Sequence, residues 1–160
     1  LGAKNMTKLI YQNDLGITKF DRYFRYLDDI RDEINPYIYN FFSDENKYQL
    51  RGKETLHDSW LQDFKISRDL KTEENMNSSI ELSFLLANWE SVLILNYYDA
   101  FFEKIPFEIF NNQYSQNDLL VHELKWNQQT KRYQHIIYFD NDIDLIINFA
   151  NFKYSYANAK

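Results

Sequence analysis

The sequence has no cysteine and, in 160 residues, only three glycines and two prolines. It has no apolar run approaching the ~18 residues that a membrane-spanning helix needs. Each shortage excludes something. Without cysteine there is no disulfide framework, no thiolate nucleophile, no zinc ribbon and no iron–sulfur cage. Gly2, Gly16 and Gly52 stand far apart, so no glycine-rich loop can bring backbone amides around a phosphate. No Gly-x-Ser-x-Gly elbow occurs either. The N-terminus lacks a charged-then-apolar signal pattern. Met6 is a candidate natural start, with residues 1–5 a cloning remnant and residues 1–17 an extension ahead of the folded part. Together these absences point to a cytoplasmic address in a bacterium-like cell, with no membrane contact.

Eighteen basic side chains face twenty-four acidic ones, for a formal charge of -6. The basic residues are scattered and mostly have acidic neighbours. Phosphate backbones require clustered Lys and Arg, so nucleic acid is excluded as a direct ligand and a basic protein partner is favoured. Thirteen Phe, thirteen Tyr and three Trp fit A+T-rich coding combined with an aromatic core. The length suits a single domain over residues 1–160 that buries enough surface to fold unaided.

Periodicity divides the chain in two. Phe20, Phe24, Leu27, Ile30 and Ile34 make one apolar stripe, which predicts a helix over 18–34 capped by Thr18, with Asp21 in its first turn. Asn35-Pro36 ends it and starts a short second helix to about Ser43, with Asn35 as cap and Ile38, Phe41 and Phe42 facing inward. From residue 57 the period becomes 2. Strands are expected around Trp60–Ile66, Ile80–Ala87, Val92–Tyr98, Leu119–Trp126, Tyr133–Phe139 and Ile143–Phe149, joined by short polar turns and therefore antiparallel. The fold class is α+β: helices over 18–43 packed on a six- or seven-stranded, curved antiparallel sheet over 57–156, either open or a partly closed barrel. Arg68–Ser79, containing Glu73 and Glu74, reads as a long mobile loop, and 105–117, with Asn111-Asn112, as a second irregular stretch.

Candidate chemistry is sparse. If 119–126 and 133–140 form a hairpin centred between residues 129 and 130, His122 stands opposite Ile137 and His135 opposite Leu124. The two histidines are then diagonal neighbours on one face, roughly 7–8 Å apart. A metal would need His57 as well, from a distant segment, and the adjacent His57-Asp58 pair would point to opposite faces of a strand. Structural histidines, with no metal, are the simpler reading. Asp140, Asp142 and Asp144 sit at a tight turn, and Asp28, Asp29, Asp32 and Glu33 on the outward side of the first helix, where intrahelical pairs such as Asp21 with Arg25 balance much of the charge. Trp89 falls between two strands, where it is either a tryptophan folded back into the core, the more ordinary outcome, or the best exposed aromatic anchor. No catalytic constellation and no cofactor are implied.

Three segments carry a resemblance: Leu50 to Trp60 (LRGKETLHDSW), Asp118 to Glu123 (DLLVHE) and Gln134 to Phe139 (QHIIYF). They resemble small β-rich bacterial proteins of the immunity type, encoded beside polymorphic or contact-dependent toxins. The resemblance spans about residues 48–150, implies a role, and assigns no catalytic residue. The expectation is a non-enzymatic protein that neutralises a cognate, basic toxin by covering its active site or an essential surface. Asp28, Asp29, Asp32, Asp140, Asp142 and Asp144 would form the rim, and Trp89 an anchor. The alternatives are a β-barrel binding a small apolar molecule, and a metal-dependent hydrolase using His57, His122 and His135.

Overall fold

A computed structural model of the protein describes residues 8–72, 75–109, 117–140 and 142–160. Met6, residues 1–5, Gly2, Glu73, Glu74 and Asn111-Asn112 lie outside them. Among the described residues there are two α-helices and ten strands in three antiparallel sheets, with no closed barrel. Among the described residues no helix is long and apolar enough to cross a membrane.

The expected first helix is shorter at both ends. Thr18 belongs to strand β2 (Thr18–Lys19), which pairs with β1 (Tyr11–Gln12), Gln12 opposite Thr18. A residue whose backbone is committed to a ladder cannot cap a helix. The connecting turn uses Gly16 at φ +73, while Asn13 Oδ1 accepts from Leu15 N at 3.0 Å and Ile17 N at 2.9 Å. Helix α1 then runs over Asp21–Ile30 from Phe20, which caps without a side-chain hydrogen bond. It tightens into a 3-10 turn over Arg31–Glu33. Tyr23 and Leu27 are fully buried, and Phe20, Phe24 and Ile30 pack partly against the core. The second helix, α2 (Pro36–Phe42), forms as expected: Asn35 Oδ1 accepts from Tyr37 N at 2.8 Å, and Ile38, Phe41 and Phe42 are buried.

The β-rich part is two four-stranded sheets rather than one sheet of six or seven. The first has the order β10 (Asn151–Asn158), β5 (Ser91–Tyr98), β4 (Asn75–Leu85), β3 (Trp60–Thr72). The second has the order β6 (Phe101–Lys104), β9 (Asp144–Phe149), β8 (Arg132–Phe139), β7 (Leu119–Asn127). A single bent ribbon joins them. Asn151 stands opposite Tyr98 in the first sheet and Phe101 opposite Asn148 in the second, so the pairing passes through the corner without a slip. The corner is where the chain leaves the flat pleat: Asp99 has φ +47, and Arg132 grips both its carboxylate, at 3.0 Å, and its carbonyl. Strands that change sheet at a bend are a normal way to make such corners.

Residues 68–72 and 75–79 are strand rather than loop. Strands β3 and β4 continue to Thr72 and from Asn75, with Ser67 opposite Ser79 and Asp69 opposite Asn77. Polar side chains hide the period here, yet the ladder depends on backbone groups that every residue carries. The irregular 105–117 stretch contains a 3-10 turn at Phe107–Ile109, and the rest of its centre lies outside the described residues.

The buried side chains form one cluster in which α2 meets both sheets: Phe41 packs on Phe152 at 5.0 Å and Phe42 on His135 at 4.8 Å, while Tyr97 packs on Phe149 at 5.2 Å. The helices also finish two sheet edges. Tyr23 Oη accepts from Leu124 N at 2.9 Å and Tyr26 Oη from Trp126 N at 2.8 Å along β7. Tyr37 Oη accepts from Tyr154 N at 3.2 Å on β10. Tyrosine is suited to this task, because its apolar ring packs on the sheet while its hydroxyl satisfies an edge amide.

Candidate functional site

Polar side chains gather inside the core and at its rim. The inner group starts from the hairpin register. As expected from sequence, His122 stands opposite Ile137 and His135 opposite Leu124. The rings meet: His122 Nδ1 lies 3.0 Å from His135 Nε2, and His135 Nδ1 lies 2.7 Å from Tyr97 Oη. Tyr48 stacks on His122 with centroids 4.3 Å apart and donates its hydroxyl to the Phe42 carbonyl at 2.7 Å. Counting donors fixes the proton order. If Tyr97 O–H donates to His135 Nδ1, then His135 Nε2–H donates to His122 Nδ1, and only the His122 Nε2–H lacks a normal hydrogen bond. The reverse order strands the Tyr97 proton as well, so the first holds. Burial pushes His122 down to about 3 and His135 well below its usual value, with His122 adding to the effect. Two neutral imidazoles in a closed core serve packing and hydrogen bonding.

His57 does not join them. It lies on a turn, not a strand, and Asp58 at φ +60 brings its carboxylate 3.1 Å from His57 Nδ1. Among the described residues no three His, Asp or Glu side chains are placed to hold a metal ion.

The rim site is built where the ends of several strands meet. Asp58 N donates to the Leu119 carbonyl at 2.9 Å, and Leu119 N to the Ser59 carbonyl at 3.0 Å. That junction brings the Leu50–Trp60 and Asp118–Glu123 segments side by side. Trp60 Nε1 donates to Asp118 Oδ1, and Asp140 N to the Asp118 carbonyl at 2.9 Å. Trp89 lies against Trp60 with centroids 4.5 Å apart and is 61% exposed.

Trp89 reaches that position through its turn. Trp89 N donates to the Leu86 carbonyl at 3.0 Å, and Asn88 Oδ1 accepts from Glu90 N and Ser91 N at 2.9 and 3.0 Å. This type of hairpin loop ends in a left-handed residue, where glycine is usual. Here Trp89 occupies it at φ +61. A bulky side chain in that region is strained, and local strain of this kind clusters at functional surfaces.

The carboxylates of this rim carry an unfavourable arrangement. Burial and the neighbouring Asp118 raise the Asp140 carboxyl above its ordinary value, and Asp140 Oδ1 is buried without a hydrogen-bond partner. A cation delivered from outside would relieve both effects.

The structure therefore brings two of the sequence-derived candidates, Trp89 and Asp140, to one corner and separates the others. Asp142, at φ +59, is exposed in the β8–β9 turn, while Asp144 is ion-paired with Lys104. Asp28 accepts from Tyr39 Oη at 2.8 Å, so it serves the junction between the helices. Asp29 and Asp32 are exposed on α1 and its 3-10 extension. These lie toward the opposite end of the second sheet: Glu33 accepts from Trp126 Nε1, and Trp126 pairs with Tyr133, about 20 Å along β8 from Asp140. Reading the residues one by one missed Trp60, Asp58 and Asp118, although all three lie in the segments that carry the resemblance. It also missed Glu123, which is buried, accepts from Ile10 N at 2.6 Å, and has its carboxyl raised by burial. Neither protein-family models, nor curated proteins, nor solved structures give a match to this chain.

Proposed function

We propose that this chain is an immunity-type protein that binds a cognate bacterial toxin and neutralises it by covering its active site or an essential surface, with no bond made or broken by its own side chains. The contact face is the corner formed by Trp60, Trp89, Asp58, Asp118 and Asp140, and the partner surface is basic. The observation that carries this reading is Trp89, held in a strained turn conformation, 61% exposed, and backed by Trp60 beside the Asp118–Asp140 pair. An aromatic anchor supported from behind and flanked by acidic side chains has the make-up of an interface hot spot. The net charge of -6 adds long-range attraction for a basic partner and speeds encounter. Asp29, Asp32 and Asp142 contribute to that field without touching the corner.

The test is co-purification with the product of the adjacent reading frame, followed by titration calorimetry. A complex in the micromolar range or tighter is expected. W89A should weaken it by ~2 kcal/mol or more, about thirtyfold, because hot-spot aromatics contribute on that scale. D140N should mainly slow association at low salt. No complex at micromolar concentrations, or a W89A variant that binds as tightly as the wild type, overturns the proposal.

A further inference from the structure

We propose that residues Lys8–Gln12 form a strap across the outer face of the second sheet, held closed while Glu123 is neutral and released when Glu123 ionises. Nothing in this device depends on the toxin-binding corner. The register places Glu123 on that outer face. Tyr133, Ile137 and Phe139 of β8 belong to the core cluster, so Ile136 and Tyr138 between them turn outward. Glu123 stands opposite Ile136, and residues opposite one another share a face. Yet Glu123, Ile136 and Tyr138 are only 0%, 6% and 8% exposed. An outward face this closed needs a cover, and the N-terminal segment reaches it. Ile10 N donates to Glu123 Oε1 at 2.6 Å, and Lys8 Nζ lies 4.3 Å from the centre of the Tyr138 ring.

The segment has few other anchors. Strand β1 pairs with β2 alone, over two residues each, so neither four-stranded sheet holds it. Tyr11 adds contacts with Asp21 and Arg22 at the start of α1. The latch itself is built around a carboxyl group that is costly to ionise. Glu123 Oε2 is buried without a hydrogen-bond partner, and an uncompensated buried charge costs far more than a neutral group in the same place. Lys8 on the strap, Lys125 on β7 and the amides of Leu9 and Ile10 favour the anion, but burial outweighs them and raises the carboxyl above its ordinary value. Tyr138 on β8, Tyr23 and Tyr26 on α1, and Tyr48 complete its surroundings; burial raises all four hydroxyls, so they stay neutral while Glu123 titrates. The closed strap is therefore stable while Glu123 keeps its proton, and that stability is lost as pH rises through the raised value. Lifting the strap returns the carboxylate to water and bares Tyr138.

The chain has no cysteine, so a single introduced thiol reports on the strap. In I10C the thiol replaces a side chain that is 3% exposed and leaves the backbone amide in place. Its rate of labelling by 4,4′-dithiodipyridine, divided by the rate in the urea-unfolded chain at the same pH, should rise about threefold or more from pH 5 to pH 8. A carboxyl raised by half a pKa unit already gives that ratio. E123Q/I10C, neutral at every pH, should show no such rise. A100C, a buried thiol at the bend between the sheets, should stay slow throughout, which separates strap release from global unfolding. In the unmodified chain the hydrogen-exchange protection factor of the Ile10 amide should fall over the same range. A flat I10C ratio, a rise that persists in E123Q/I10C, or A100C labelling that rises in step with I10C overturns the proposal. So does an Ile10 protection factor that holds constant with pH, a result that needs no variant to fold.

Discussion

Mild acid is expected to destabilise this protein through His122 and His135. Both rings are buried and neutral, His122 with a pKa of about 3 and His135 well below its ordinary 6.5. As pH falls through 6.5 the unfolded chain takes up a proton on each histidine and the folded chain takes up neither. The stability tied to these groups is therefore fully present above pH 6.5 and is lost on acidification. One pKa unit corresponds to ~1.4 kcal/mol, so moving from pH 7 to pH 5 removes roughly 2 kcal/mol per histidine and about 4 kcal/mol for the pair. That is a large share of a domain stability of ~5–15 kcal/mol. Glu123 and Asp140 act in the opposite direction. Their raised carboxyl groups contribute stability that declines as pH rises, and they offset part of the histidine effect in the wild type. They are common to every variant and cancel in a difference. The assay is urea unfolding followed by tryptophan fluorescence at pH 7, 6 and 5 for the wild type, H122Q and H122Q/H135Q. The wild type should lose about 4 kcal/mol more than the double variant over this range, with H122Q between them. Equal pH dependence in the wild type and a folded double variant refutes the argument. So does a native-state imidazole resonance assigned to His122 or His135 that titrates near 6.5, a readout that needs no variant.

Two further outcomes follow from backbone groups. Y23F removes the acceptor of Leu124 N and the partner of Tyr48 Oη. It should cost ~1–3 kcal/mol, because a buried edge amide is left unpaired, and hydrogen exchange should quicken at Leu124 while Trp126, bonded to Tyr26, stays protected. K131G should stabilise the β7–β8 hairpin by ~0.5–1 kcal/mol, since Lys131 sits at φ +55, where an L-residue is strained and glycine is not. Chemical denaturation reads this directly, and an unchanged or lowered midpoint contradicts it.

That strain was implicit in the composition. A chain with three glycines in 160 residues cannot place one at every tight turn. Asp58, Trp89, Asp99, Lys131 and Asp142 therefore take up positive φ. Which residue would be caught in that conformation was not legible, and Trp89 became a distinctive surface feature for that reason.

Local chemistry determined the elements that sequence alone could place. Asn35-Pro36 ended one helix and capped the next because a missing amide and a side-chain acceptor act within a few residues. The hairpin register that joins His122 to His135 followed from turn length and a period of 2. Thr18 was misplaced because its ladder with Gln12 competed with capping, and the ends of β3 and β4 were hidden because polar side chains carry no period. Tertiary structure alone decided the rest. It bent one ribbon at Asp99 into two sheets, turned a diagonal pair of histidines into a closed chain ending on Tyr97, and carried Trp60, Trp89, Asp118 and Asp140 to one corner from four separate segments. Those outcomes depend on contacts between residues far apart in the chain, and such contacts form only when the whole core packs at once.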